Sequence, residues 1–451
     1  MEEATTHLLS YASKRLRAVN SRSYRVVSPS TSAGSSVNLG QSIEFRIAGS
    51  QQSSFLDNST MYIKFVIKNN DATDAANFNF EGKNGAFSLI KKVDILVGGS
   101  TISTVDNYNL LHSMFSDTDT SAAYGSQVGN VLFGAGSSSD GATVLAAAAA
   151  AGANPAVPAG TRTIILPFLL NNIANSKKYI PLFSRDEIRI KIQLESAQLA
   201  LKSVDAGLVD ADVEIQTPEL IYNVVELSAE AMALVDQSVD SKYEIVADDY
   251  RHTSSTVTAT ANQTHVANLG FSFSSLNRVL ISLRNSTNLA NVQKFSIGNR
   301  CRSGLEEVNL LLNGESIPSQ RIKISSDSAA EALAELLIAD SALMATDHDS
   351  RINGGAGFLA NDPDGSNAAN TGNFQIQIDT ESMRSNSDDP GIYSGVSTIS
   401  SSLQAQLKFG ANRGAGANAD ASGPTQIDFF AQYTSLLTLD MKGSQQFVVS
   451  V

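Results

Sequence analysis

The sequence predicts an all-β chain built from two similar antiparallel sandwiches in tandem, and three observations predict it. A hairpin-like segment of the first half is echoed in the second, period-two apolar runs recur along the chain, and Gly-, Asn-, Ser- and Asp-rich stretches separate them. The echo is the most specific. Residues 90–104 read IKKVDILVGGSTIST and residues 305–319 read LEEVNLLLNGESIPS. Aligned without a gap, Val93 falls on Val308, Leu96 on Leu311, Gly99 on Gly314 and Ile102 on Ile317. Each copy is an apolar strand, a two-residue turn (Gly98-Gly99 or Asn313-Gly314) and a returning strand. These dipeptides supply the positive φ that such turns require. Upstream, YIKFVIKNN at 62–70 matches RVLISLRNS at 278–286 in the same order and at nearly the same spacing. Two matched segments so far apart indicate duplication of a whole β domain, not a short solenoid repeat.

The strand signals run in order. SIEFRI at 42–47, MYIKFVI at 61–67, VDILV at 93–97, TIILPFLL at 163–170 and EIRIKIQLE at 187–195 read as strands, with the cleanest alternation in the last, and VEIQT with LIYNVVEL (213–227) closes the first half. In EIRIKIQLE, Ile188, Ile190, Ile192 and Leu194 face one way. The second half offers YEIVA, THVANLGFSF, RVLISL, VNLLL, FQIQID, LQAQLKF, TQIDFFAQY, SLLTLDM and FVVSV. Short strands with polar connections suit sandwiches rather than a parallel α/β sheet, and eight-stranded jelly rolls are a common solution. The expected division is an N-terminal basic amphipathic arm over 1–25, a first sandwich over 26–230 and a second over 231–451.

A few helices are expected besides. Residues 5–18 place Leu8, Leu9, Ala12 and Leu16 on one side. Residues 106–117 and 328–346 follow the two echoed hairpins, the latter with a capping box of Ser328 and Glu331 and a stripe of Leu333, Leu336, Leu337 and Met344. Long polar loops are expected over 117–162, 345–373 and 383–425, lengths at which loops are usually functional surface or disordered.

Composition narrows the class further. The 451 residues are 42% hydrophobic and 17% charged, so each half can bury a core, and no apolar run approaches the roughly 20 residues that span a bilayer. The start MEEATTHLL lacks the basic, apolar pattern of a secretory signal, so no export is expected. The net charge is −13, unevenly spread. No acid lies between Glu3 and Glu44, while Lys14, Arg15, Arg17, Arg22 and Arg25 make the arm basic. Acidic surface repels nucleic acid, whereas a basic arm can meet phosphate or an acidic neighbour.

Motifs for chemistry are thin, and no catalytic, metal or cofactor site is expected. Cys301 is the only cysteine, which excludes an intrachain disulfide and a multi-Cys metal site. Its flanks, Arg300 and Arg302, would favour a thiolate, but no His or Asp is assignable as partner. His7, His112, His252, His265 and His348 are scattered without zinc spacing. Asp347-His348-Asp349 reads as turn polarity, and DPDGSN at 362–367 lacks the bidentate Glu of a calcium loop. Asn58, Asn262 and Asn285 open NxS/T sequons, expected to be unmodified without a signal peptide.

With the duplicated hairpins and the strands in view, the chain resembles the double jelly-roll major capsid proteins of the adenovirus–tectivirus lineage, above all those of virophages and polinton-like viruses. The resemblance rests on RSYRVVSPSTS at 22–32, FLDNSTMYIKFVI at 55–67, IKKVDILVGGSTISTVDNYNLLHSMF at 90–115 and PLFSRDEIRIKIQLE at 181–195, and extends over nearly the whole chain. It implies two tandem eight-stranded antiparallel jelly rolls with short helices and long surface loops. It further implies a homotrimer forming a pseudo-hexagonal capsomer, neighbouring capsomers, penton and minor capsid proteins as partners, and an icosahedral virion made in the host cytoplasm or nucleus. That family has no catalytic residues to carry over. The arm residues Leu8, Leu9, Lys14, Arg15, Leu16, Arg17, Arg22 and Arg25 are then expected on the inner face, against nucleic acid, membrane or a neighbouring subunit. The alternative reading is a β-sandwich carbohydrate-binding or adhesin protein, which would need exposed aromatic platforms that loops poor in aromatics and lacking Trp do not offer.

Overall fold

The computed structural model describes residues 22–31, 36–47, 53–70, 78–80, 84–135, 143–145, 161–167, 170–176, 178–184, 187–203, 206–239, 242–258, 260–289, 291–324, 329–343, 352, 357–360, 362–363, 371–381, 395–411, 423–440 and 447–450. Sixteen strands carry the architecture. In the first half they are β1 (Arg22–Pro29), β2 (Ser42–Ile47), β3 (Ser54–Asn69), β4 (Ile90–Val97), β5 (Ser100–Asp106), β6 (Thr161–Pro167), β7 (Ile188–Leu194) and β8 (Val213–Glu226). In the second they are β9 (Lys242–Val257), β10 (Thr264–Asn268), β11 (Leu276–Asn285), β12 (Leu305–Leu312), β13 (Glu315–Lys323), β14 (Ile376–Asp379), β15 (Leu403–Phe409) and β16 (Thr425–Asp440).

Each half folds into two antiparallel sheets with one strand order. The first half pairs β1-β8-β3-β6 and β2-β7-β4-β5; the second pairs β9-β16-β11-β14 and β10-β15-β12-β13. Every strand of the second half thus stands where its counterpart eight positions earlier stands in the first. Both are eight-stranded jelly rolls, each a sandwich closed by long crossings between its sheets. Alternation sets the inner faces: in β7, Ile188, Ile190, Ile192 and Leu194 are buried, with Arg189, Lys191 and Gln193 outward.

The echoed hairpins occupy equivalent places, β4–β5 and β12–β13. Val93 and Val308 are fully buried, while Ile102 and Ile317 pack at the margins of the first and second cores. The turns take positive φ at both central residues, 58° and 87° at Gly98 and Gly99 and 52° and 90° at Asn313 and Gly314. A Cβ at Gly99 or Gly314 would meet nothing within 4 Å, so glycine serves backbone conformation there rather than space.

Several expectations are corrected. Arg22 and Arg25 do not belong to an arm: β1 begins at Arg22 and pairs with β8, Arg22 opposite Glu226 and Arg25 opposite Asn223. The strand was concealed because its outward side chains, Arg25 and Val27 among them, are exposed, leaving only Tyr24 and Val26 packed on the core. The loop expected over 117–162 carries helical turns at 122–133 and a short strand, Thr143–Leu145. The stretch 383–425 holds β15. VEIQT and LIYNVVEL form one strand, bulged where Thr217 (φ 45°) precedes Pro218. Of the helix expected over 328–346, the described part is Ala330–Ala339, with Ala329 at the N-cap and no side-chain cap; Glu331 instead accepts the backbone N–H of Lys323. Ser328 and Met344 lie outside the described residues, as do residues 1–21 with Leu8, Leu9, Lys14, Arg15, Leu16 and Arg17.

Two further helices matter. Helix α1 (Tyr108–Asp119) follows the first hairpin, and α2 (Ala229–Val239) joins β8 to β9; Ala330–Ala339, α3, follows the second hairpin. The second core is confined to its own sandwich, whereas the first also takes in Tyr243, Ile245, Leu280, Phe430, Leu437 and Leu439 from β9, β11 and β16. The sheet β9-β16-β11-β14 therefore buries apolar side chains on both faces.

Candidate interdomain seam and assembly surfaces

Helix α1 is the centre of the seam. Its residues from Tyr108 through Thr118 are all buried, polar Asn109, His112, Ser113, Ser116 and Asp117 included. A helix buried all round lies between packed layers rather than on a surface. One side meets the first sandwich, where the His112 ring stacks on Phe87 at 3.7 Å and Nδ1 meets the Asn84 side-chain oxygen. The other meets the second half: Phe115 lies edge-on to Tyr250 and beneath the Arg278 guanidinium at 5.0 Å, and Gln375 donates to the Met114 carbonyl at 3.3 Å.

Three buried charge clusters tie the halves together. Arg300, in the connection between β11 and β12, pairs with Asp117 of α1, both wholly buried. Asp428 of β16 accepts from the Arg284 guanidinium at 2.9 Å, lies 3.0 Å from His252 Nε2, and is reached at 3.4 Å by the Asn107 amide. Asn107 takes a left-handed conformation (φ 48°) just before α1. Burial alone would raise the Asp428 carboxyl, but Arg284 and His252 outweigh it and hold the group at about 2. Asp249 of β9 accepts from Ser103 Oγ of β5 at 2.8 Å, Tyr433 OH at 3.0 Å and the Tyr250 N–H at 3.0 Å. Burial pushes Asp249 up to about 6 against those donors, and burial together with the Asp249 charge raises the Tyr433 phenol well above its ordinary value.

Backbone contacts extend the seam. The Ser203 N–H donates to the Val292 carbonyl at 2.8 Å, Ser296 Oγ donates to the Leu199 carbonyl at 2.9 Å, and Lys202 lies 4.4 Å over the Phe295 ring. Separating the halves would leave these bonded buried groups without partners, which costs more than making the bonds gains. The seam therefore holds one arrangement of the two jelly rolls.

Other candidate chemistry residues are placed as follows. Cys301 is buried, its thiol 3.6 Å from the Leu283 carbonyl; of its flanks, Arg300 pairs with Asp117 and Arg302 donates to the Leu305 carbonyl. Among the described residues no cluster of three or more His, Cys, Asp or Glu is arranged to hold a metal; His7, Asp347, His348 and Asp349 lie outside them. Asn58 is buried, donating to the Ile173, Ala174 and Ser176 carbonyls, and Asn285 is buried beside Asp362, while Asn262 is exposed on the turn before β10. No helix among the described residues is long and apolar enough to cross a membrane. Sequence reasoning missed Asp117, Asp249, Asp428 and Asn107. The available signal was a lone acid inside an apolar run, as in TQIDFFAQY, but nothing local names its partner.

No protein-family model matches the chain, and no curated protein sequence matches it. Solved structures do. A chain of the PBCV-1 virus capsid superposes with a TM-score of 0.60 at 11% identity, covering 96% of this chain and 97% of that one. A chain of the Sputnik virophage structure gives 0.57 at 13% identity, covering 99% and 92%. The Faustovirus major capsid protein gives 0.56 at 10%, covering 96% and 92%. The agreement covers nearly the whole chain, both halves included, and the chain has the double jelly-roll fold of viral major capsid proteins.

Proposed function

We propose that this protein is a structural capsid subunit. It forms a homotrimer whose six jelly rolls make a pseudo-hexagonal capsomer, and the capsomers tile an icosahedral shell with penton and minor capsid proteins at its special positions. The protein would be made in the host cytoplasm or nucleus and reside in the virion. One observation carries the reading: two jelly rolls of identical strand order fixed to one another by a buried seam. A single jelly roll in a trimer gives three similar sides, whereas two fused copies give six, which matches a hexagonal lattice. Closed three-fold symmetry lets one pair of patches serve every subunit contact. Contacts between capsomers need not each be large, since modest polar interfaces suit reversible assembly.

The arm is assigned to the inner face. Lys14, Arg15 and Arg17 would meet packaged nucleic acid, anionic lipid or an acidic neighbour, and Leu8, Leu9 and Leu16 would be buried on an adjacent subunit. Arg22 and Arg25, fixed in β1, would mark where the arm leaves the sandwich. Sedimentation velocity of the purified protein at micromolar concentration tests the reading. A species of three times the chain mass is expected; a monomer with a native circular dichroism spectrum would contradict it.

A further inference from the structure

A groove of about 670 Å³ lies where β5 of the first jelly roll approaches the second. Its walls are residues 101–104 of β5, residues 251–253 of β9, and residues 269–273 of the connection after β10. Among the described residues, both β5 and β9 are the last strands of their sheets and pair on one side only. Among the described residues, no backbone hydrogen bond reaches residues 101–104 or 251–253 from outside their own ladders. Open edges of this kind are templates for a further strand. In the third wall, Leu269, Phe271 and Phe273 turn inward while Gly270 and Ser272 are exposed, and a Cβ at Gly270 would meet nothing within 4 Å. That wall is low enough for another backbone to approach.

The charge of the groove is opposite to that of the chain. No acidic residue lines it, although the chain carries −13. The Arg251 side chain is exposed there and forms no ion pair among the described residues. Two carboxylates lie behind the lining and both are buried: Asp249, held by Ser103 and Tyr433, and Asp428, held by Arg284 and His252. Ile102 and Val449 add apolar surface on the two sides.

We propose that this groove takes an extended segment of a different polypeptide, added edge-on to β5, with an acidic side chain set against Arg251. Main-chain hydrogen bonds supply affinity in such strand addition, and alternate side chains supply selectivity. The groove lies within one chain, so the inference does not rest on the trimer or on the capsid reading. The test uses the full chain and three fluorescein-labelled nine-residue peptides followed by fluorescence anisotropy. One is an alternating Thr/Val peptide with a central Glu, the second carries Lys instead, and the third is the Glu peptide N-methylated at alternate residues. The Glu peptide is expected to bind about fivefold or more tightly than the Lys peptide, the scale of an exposed ion pair exchanged for a repulsion. Arg251→Glu should reverse that order with an unchanged circular dichroism spectrum, and N-methylation should abolish binding. Equal binding of the Glu and Lys peptides, undiminished binding of the methylated peptide, or no saturable binding would overturn the proposal. So would a change in self-association caused by Arg251→Glu, which would assign the groove to a second copy of the chain.

Discussion

Asp249 is a carboxylate shared between two domains, and its environment determines how their union responds to pH. Its folded value of about 6 lies above the roughly 3.9 of an unfolded Asp. Between those values the folded protein holds a proton that the unfolded chain has released. Its contribution is therefore fullest below about pH 4, declines as pH rises towards 6, and is lost above, an effect on the order of 2–3 kcal/mol. Asp428 acts in the opposite sense and elsewhere: held at about 2, its contribution is present above the unfolded value and lost only as pH falls towards 2. Asp249→Asn should thus flatten the pH dependence of stability between pH 4 and 6, measured by urea unfolding against the parent. An unchanged difference between pH 4.5 and 7 would contradict this. Arg300 and Asp117 pose a second residue-scale case. Asp117→Leu strands a buried guanidinium and should cost about 3–5 kcal/mol, whereas Asp117→Leu with Arg300→Met should recover most of it. A double-mutant cycle by chemical denaturation reads this directly.

The hairpins β4–β5 and β12–β13 are the elements most legible in the sequence, because a turn dipeptide and a period-two run are local signals. Val93→Ala and Val308→Ala each empty a fully buried site and should each cost about 2–3 kcal/mol. Gly99→Ala and Gly314→Ala should cost about 1 kcal/mol each, from φ alone, since nothing crowds either position. Unlike costs at the paired positions, read by thermal unfolding, would argue against equivalent roles. Strands β2 and β7 were legible for the same reason. The long strand β8 reads as two pieces because Thr217-Pro218 breaks the pattern at a bulge, β9 shows only its start, YEIVA, ahead of Asp248-Asp249, and β16 reads as TQIDFFAQY and SLLTLDM, parted at Thr434, whose hydroxyl accepts from Asn277. Residues 22–25, the first half of β1, read as the end of an arm because an edge strand with one open face carries few apolar residues. Of the seam, the sequence showed helix α1 but not its burial. The partners Asp117 and Arg300, or Ser103 and Asp249, are far apart in the chain, and no local pattern links them.

At the scale of the molecule, a sheet covered on both faces turns two sandwiches into one block. That rigidity suits a subunit whose similar outward sides must hold fixed angles to their neighbours. Deleting residues 2–20 should leave β1 and both cores intact, so that the proposed trimer persists while closure into shells fails. Electron microscopy of assembly reactions checks it, and normal shells from the truncated chain would remove the arm from assembly. Three double jelly rolls joined in one six-sided unit would be visible in two-dimensional class averages of the purified full-length protein in negative stain. Flat particles with three-fold symmetry and a six-lobed, hexagonal outline are predicted. Elongated two-lobed particles, the shape of a lone double jelly roll, would contradict it.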